Sequence, residues 1–75
     1  MASAYLLLNV ETGTEEEVIN HLKTHQEVKE AWMVYRVYDI IVGVETETME
    51  ELKNVISWTI RRLDRIRSTM TMIVV

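Results

Sequence analysis

The chain has no cysteine and only two glycines in 75 residues. Without cysteine, disulfides and zinc–thiolate sites are excluded, and a reducing compartment is favoured. Two glycines cannot build a phosphate-cradling loop. No apolar run approaches the ~20 residues that span a bilayer. The N-terminal stretch MASAYLLLNVE lacks the basic region and cleavage pattern of a signal peptide. Basic residues are a minority, eight Lys and Arg against twelve Asp and Glu, for a formal net charge of −4. The charge that neutralises nucleic-acid phosphates is therefore missing. Together these absences predict a cytoplasmic globular chain that contacts neither membrane nor nucleic acid directly.

The length sets a further bound. A single domain of this size hides only about 60–65% of the surface its unfolded chain exposes. Small domains commonly compensate with disulfides, metals or partner chains. With the first excluded here, partners become the expected device.

What is present is a phrase written twice. VETGTEEEV at positions 10–18 recurs as VETETMEEL at positions 44–52, a constant offset of 34 residues. Each copy closes an apolar run rich in strand formers, AYLLLNV before the first and YDIIVGV before the second. Each then reads Thr-x-x-Glu, Thr14 to Glu17 and Thr48 to Glu51. That spacing predicts a capping box, in which the hydroxyl accepts a first-turn N–H and the carboxylate reaches back to the cap. Each phrase is thus a strand-to-helix hinge. The first helix is expected over Glu15 to about Gln26, with Val18, Ile19 and Leu22 as its apolar stripe. The second is expected over Met49 to about Arg65, with Leu52, Val55, Ile56, Thr59, Ile60 and Leu63 recurring at spacings of three and four. A strand follows each helix, VKEAWMVYR (28–36) and IRSTMTMIVV (66–75). The chain therefore reads β-α-β twice, joined at a turn near Arg36–Val37. Two such units in series form a ferredoxin-like α+β sandwich of the βαββαβ type over residues 1–75. It is a four-stranded antiparallel sheet with both helices on one face. Two copies are one duplicated unit, too few for a solenoid.

Helices cover only one face of that sheet, yet the strands are apolar on both. Tyr5 and Leu7 alternate with Leu6 and Leu8, and Trp32 and Val34 alternate with Ala31 and Met33. A bare apolar face of several hundred Å² usually marks an interface. A homodimer packed sheet to sheet is expected, with Tyr5, Leu7, Trp32, Val34 and Ile73 in the contact.

AYLLLNVETGTEEEV, VYRVYDIIVGVE and IRSTMTMIVV resemble the effector-binding (RAM) domain of the Lrp/AsnC transcription regulators. The resemblance covers essentially the whole chain. Its most specific pieces are Tyr38-Asp39 opening the third strand and Thr69-x-Thr71-x-apolar near the end. It is to stand-alone members of the family, which keep the sensor and lack the helix-turn-helix DNA-binding domain, on the dimeric α+β barrel plan. What the resemblance implies is a homodimer assembling to an octamer or decamer, with an amino acid effector held between dimers. It also implies a possible partner in a full-length Lrp-like regulator. The implied effector site comprises Arg36, Val37, Tyr38 and Asp39, with Ser68, Thr69 and Thr71. Asp39 would take the effector's ammonium, and hydroxyls or backbone N–H groups its carboxylate. The family usually has Gly at the position of Arg36. An arginine there either adds a carboxylate anchor or closes the pocket.

The remaining features read as structural. His21 and His25 have the i, i+4 spacing of a two-histidine metal site but no obvious third ligand, so they are expected to be solvated helix residues. Arg61, Arg62, Arg65 and Arg67 are expected to complement the helix dipole and form surface ion pairs. Trp32, Trp58, Met70 and Met72 are expected in packing or interface roles. No nucleophile–base set is evident, so catalysis and a cofactor are not expected. The two alternatives are a small dimeric α+β barrel enzyme, with Asn9 and Tyr5 as thin candidates in an internal cavity, and a purely structural assembly partner.

Overall fold

The computed structural model describes residues 1–34, 37–62 and 65–74, the side chains of 60–62 excepted. Arg36, the Ile60 and Leu63 side chains and Val75, all used in the sequence reading, lie outside the described residues.

The elements run β1 (Ala2–Val10), α1 (Glu15–Leu22), β2 (Val28–Met33), β3 (Ile40–Thr46), α2 (Met49–Arg62) and β4 (Ile66–Val74). One antiparallel sheet is ordered β2-β3-β1-β4, the βαββαβ ferredoxin-like arrangement. The first helix is shorter than its periodicity suggested, ending at Leu22, and turns through Lys23 to Glu27 lead into β2.

The helix-side face carries the core. Ala2, Ala4, Leu6, Leu8 and Val10 of β1 alternate inward and meet Ile40, Val42 and Val44 of β3. Val18, Ile19 and Leu22 of α1 and Leu52 of α2 close over them. Leu6, Leu8, Leu22, Ile40 and Leu52 are among the largest side chains wholly removed from water.

The repeated phrase folds in two different ways. At the second hinge β3 runs on through Thr46, and the Thr48 hydroxyl accepts the Glu51 N–H at 3.1 Å, capping α2. The Glu51 carboxylate receives the Thr48 hydroxyl proton at 3.3 Å rather than reaching the cap N–H, so the box is half formed. At the first hinge β1 ends at Val10 and the chain turns through Gly13 at φ +90°, a left-handed conformation that glycine adopts without strain. Thr14 there donates its hydroxyl to the Glu11 carbonyl at 2.6 Å, and α1 has no side-chain cap. Glu17 instead holds Arg65 at 2.7 Å. The capping box expected at Thr14 is therefore absent, because the positive-φ turn swings the threonine toward the preceding carbonyl. Thr48→Ala should cost about 1 kcal/mol, the usual value of a helix cap, and Thr14→Ala less than about half of that. Paired thermal melts of the two variants check this contrast.

The other face of the sheet is open. In register across β2, β3, β1 and β4, Trp32, Ile41, Leu7 and Met70 form one row. Glu30, Gly43, Tyr5 and Met72 form the next. Gly43 lets the Glu30 side chain lie across the sheet, since a Cβ there would sit 2.7 Å from Glu30 Cγ. Trp32 is 53% exposed, and Met70, Met72 and Val74 are nearly as open. Tyr5, Leu7 and Trp32 thus occupy the face anticipated for them. Ile73 does not: it pairs with buried Ala4, on the helix side, and the β4 residues on the open face are Met70, Met72 and Val74. Val34 lies just past β2, its N–H donated to the Asp39 carbonyl.

Candidate functional site

Three chain segments converge at one end of the sheet: the close of β1, the approach to β3 and the start of β4. The chain before β3 is tied down by two backbone bonds, Asp39 N–H to the Leu8 carbonyl and Val34 N–H to the Asp39 carbonyl, both 2.9 Å. Asp39 Oδ2 then accepts the Val10 N–H at 2.9 Å. The carboxylate thereby takes the Val10 N–H where the β1–β3 pairing ends. One of its two oxygens thus caps local backbone. No bond to its Oδ1 is formed among the described residues.

Beside it, Asn9 Nδ2 donates to Ser68 Oγ at 3.0 Å across the β1–β4 pair. That bond leaves the Ser68 hydroxyl proton free to donate elsewhere. Tyr38 reaches the open face, its hydroxyl 3.5 Å from Met70 Sδ. A groove of about 370 Å³ lies among these groups, lined by Val37, Asp39, Asn9 and Ser68 together with Val10, Thr12 and Arg67.

Of the residues expected at the effector site, the structure brings Val37, Asp39 and Ser68 to this groove, with Tyr38 beside it. Thr69 and Thr71 are separated from Ser68 by strand alternation. They pair with Leu8 and Leu6, whose side chains face the helices, whereas Ser68 pairs with Asn9 on the open side. Arg36 lies outside the described residues. Asn9, Thr12 and Arg67 were not anticipated there. Asn9, a lone amide in the run LLLNV, is the readable signal. Asn9 and Tyr5 both lie on the open face, away from the apolar space between sheet and helices.

A second cavity, about 310 Å³, sits on the helix side between the α1–β2 connection and α2. Its walls include His25, Glu27, Asn54 and Trp58. The His25 ring meets Trp58 edge-on with centroids 4.0 Å apart, and His21 lies parallel to the indole at 6.0 Å. His25 Nε2 is buried with no hydrogen-bond partner among the described residues. His25 is therefore not the solvated helix residue expected, since α1 ends at Leu22 and the following turns fold it onto α2. No group of three potential metal ligands occurs among the described residues. No helix among them is long and apolar enough to cross a membrane.

The model of the Lrp/AsnC ligand binding domain matches residues 3–75. Regulatory protein AsnC of Haemophilus influenzae is 40% identical over 58 residues, which are 77% of this chain and 39% of that protein. The chain thus spans about two-fifths of the length of the curated relative it matches. Two solved structures are similar over their length. A hypothetical protein from Pyrococcus horikoshii (PHS023) superposes with a TM-score of 0.95 at 43% identity, covering all of this chain and 90% of its own. FFRP-DM1 gives 0.94 at 43% identity with both chains fully covered. AsnC of E. coli shares the fold, with a TM-score of 0.87 at 24% identity over 99% of this chain and half of its own.

Proposed function

Because the chain belongs to the Lrp/AsnC ligand-binding-domain family, we propose that it is a sensor whose effector is an amino acid bound at the Asp39 groove. Binding there tunes assembly through the open sheet face. The observation that carries the reading is the divided role of Asp39. One oxygen is spent on the Val10 N–H, the other makes no bond among the described residues, and Asp39 lines a groove where an ammonium would find a charge-assisted partner. The Ser68 hydroxyl and the Asn9 amide supply the neutral polar contacts.

The groove lies at the end of the sheet, beside the open face with its Trp32–Ile41–Leu7–Met70 row. An effector seated there would touch both the β1 terminus and whatever packs on that face. We infer a homodimer through this face as the basic unit, with dimers joined into octamers or decamers around the effector. A full-length Lrp-like regulator presenting a similar face is the second partner this reading admits. The role is regulatory rather than catalytic.

Titration calorimetry with each of the twenty amino acids tests the proposal. One amino acid, or a small chemically related group, should bind. Asp39→Asn keeps an oxygen to accept the Val10 N–H but removes the charge, so it should fold normally and bind that amino acid about ten- to a hundredfold more weakly. A protein that binds none of the twenty would contradict the sensor reading.

A further inference from the structure

The pairing of β1 with β4 slips once. Asn9 pairs with Ser68, but the next residue, Val10, pairs with Ile66 rather than with Arg67. Arg67 is the extra residue of a β-bulge. Uninterrupted alternation would place it on the helix side with Thr69 and Thr71. The bulge breaks that alternation, and Arg67 lines the same groove as Ser68 and Asp39. Bulges recur where a side chain must be re-aimed near a site.

The charge arrangement singles out this arginine. Its neighbour Arg65 is committed to Glu17 at 2.7 Å. Arg67 makes no ion pair among the described residues, although acidic residues outnumber basic ones in the chain. Asp39 lines the groove with it, yet no ion pair joins the two. A cation and an anion that share one groove without neutralising each other match a ligand carrying both charges.

We infer that Arg67 is the anchor for the effector's carboxylate, with Asp39 Oδ1 opposite it for the ammonium and the free Ser68 hydroxyl proton as a second carboxylate donor. The inference rests on the amino-acid reading above and adds to it the residue that enforces a free carboxylate. The guanidinium fork suits a planar carboxylate in a way an ammonium does not. The effector should therefore be an intact α-amino acid, and its carboxamide or the corresponding amine should be rejected.

The test compares the amino acid that binds the wild-type protein with its carboxamide, on the wild type and on Arg67→Gln, Arg67→Lys and Asp39→Asn. Arg67 is exposed, so its variants should melt with the wild type. Arg67→Gln should weaken the amino acid on the order of ten- to a hundredfold, with Arg67→Lys in between. The carboxamide should bind the wild type about as weakly as the amino acid binds Arg67→Gln, and that variant should no longer separate the two. Unchanged affinity in Arg67→Gln, with affinity lost in Asp39→Asn, would overturn the role of Arg67 and leave the amino-acid reading standing. An equal loss for acid and carboxamide in Arg67→Gln would also overturn it, as a mere distortion of the groove. If no amino acid binds the wild type, both fall.

Discussion

Leu7→Asp should leave a folded chain that no longer self-associates. Leu7 is the β1 member of the apolar row Trp32–Ile41–Leu7–Met70, and its side chain points away from the helices. In an isolated chain an aspartate there would sit in water, so folding loses little beyond some strand preference. In a face-to-face dimer the same aspartate would be driven against apolar side chains, and two-fold symmetry presents it twice. Burying an unpaired carboxylate is among the costliest single changes available. Dissociation should therefore strengthen by more than about a hundredfold, each factor of ten corresponding to roughly 1.4 kcal/mol. Sedimentation of wild type and variant across a concentration series reads this directly. A variant that stays associated would mean that copies meet elsewhere, for instance along the β4 edge.

Leu8→Ala, one residue further on, should do the opposite: damage the fold and leave the interface chemistry intact. Leu8 is 0% exposed and packs in the cluster with Ile40, Leu22 and Leu52. Truncating a buried leucine removes its transfer energy and leaves a cavity, typically about 2.7–5 kcal/mol. Small domains have total stabilities toward the low end of the usual 5–15 kcal/mol. At about 4–8 °C per kcal/mol for a domain of this size, the midpoint should fall by at least roughly 10 °C. Thermal melts by circular dichroism check it. Leu7→Ala, by comparison, should shift the melt only as far as the dimer contributes to it. A Leu8→Ala variant melting within about 3 °C of wild type would contradict the placement of the core.

The pair also marks how much the sequence discloses. Strand period alone separates Leu7 from Leu8, and the twice-written phrase at an offset of 34 residues discloses both βαβ units. Element ends were less legible. α1 stops at Leu22 because the apolar stripe has no further member and the turns beyond it fold His25 onto Trp58. The two hinges share their words but differ inside the turn, Gly13 against Glu47. That glycine admits the positive-φ turn, which costs Thr14 its capping role and brings Thr12 to the groove. At the site, Asp39 and Ser68 were identifiable as residue types. Which side of the sheet Ser68 faces, and which Thr69 and Thr71, was not readable until the register of β4 was known. Arg67 was hidden for the same reason from the opposite direction, because a one-residue slip reverses the side a residue faces and nothing in RIRSTM announces it. Ile73 was misplaced by the same parity.

Light scattering coupled to size exclusion, with and without each amino acid, tests most directly the claim that this chain is an assembling sensor. The expected mass is at least twice the 8.8 kDa of one chain, and one amino acid should shift it toward larger closed assemblies or raise their melting temperature. A monomer at every concentration, indifferent to all twenty, would contradict both the interface and the effector site.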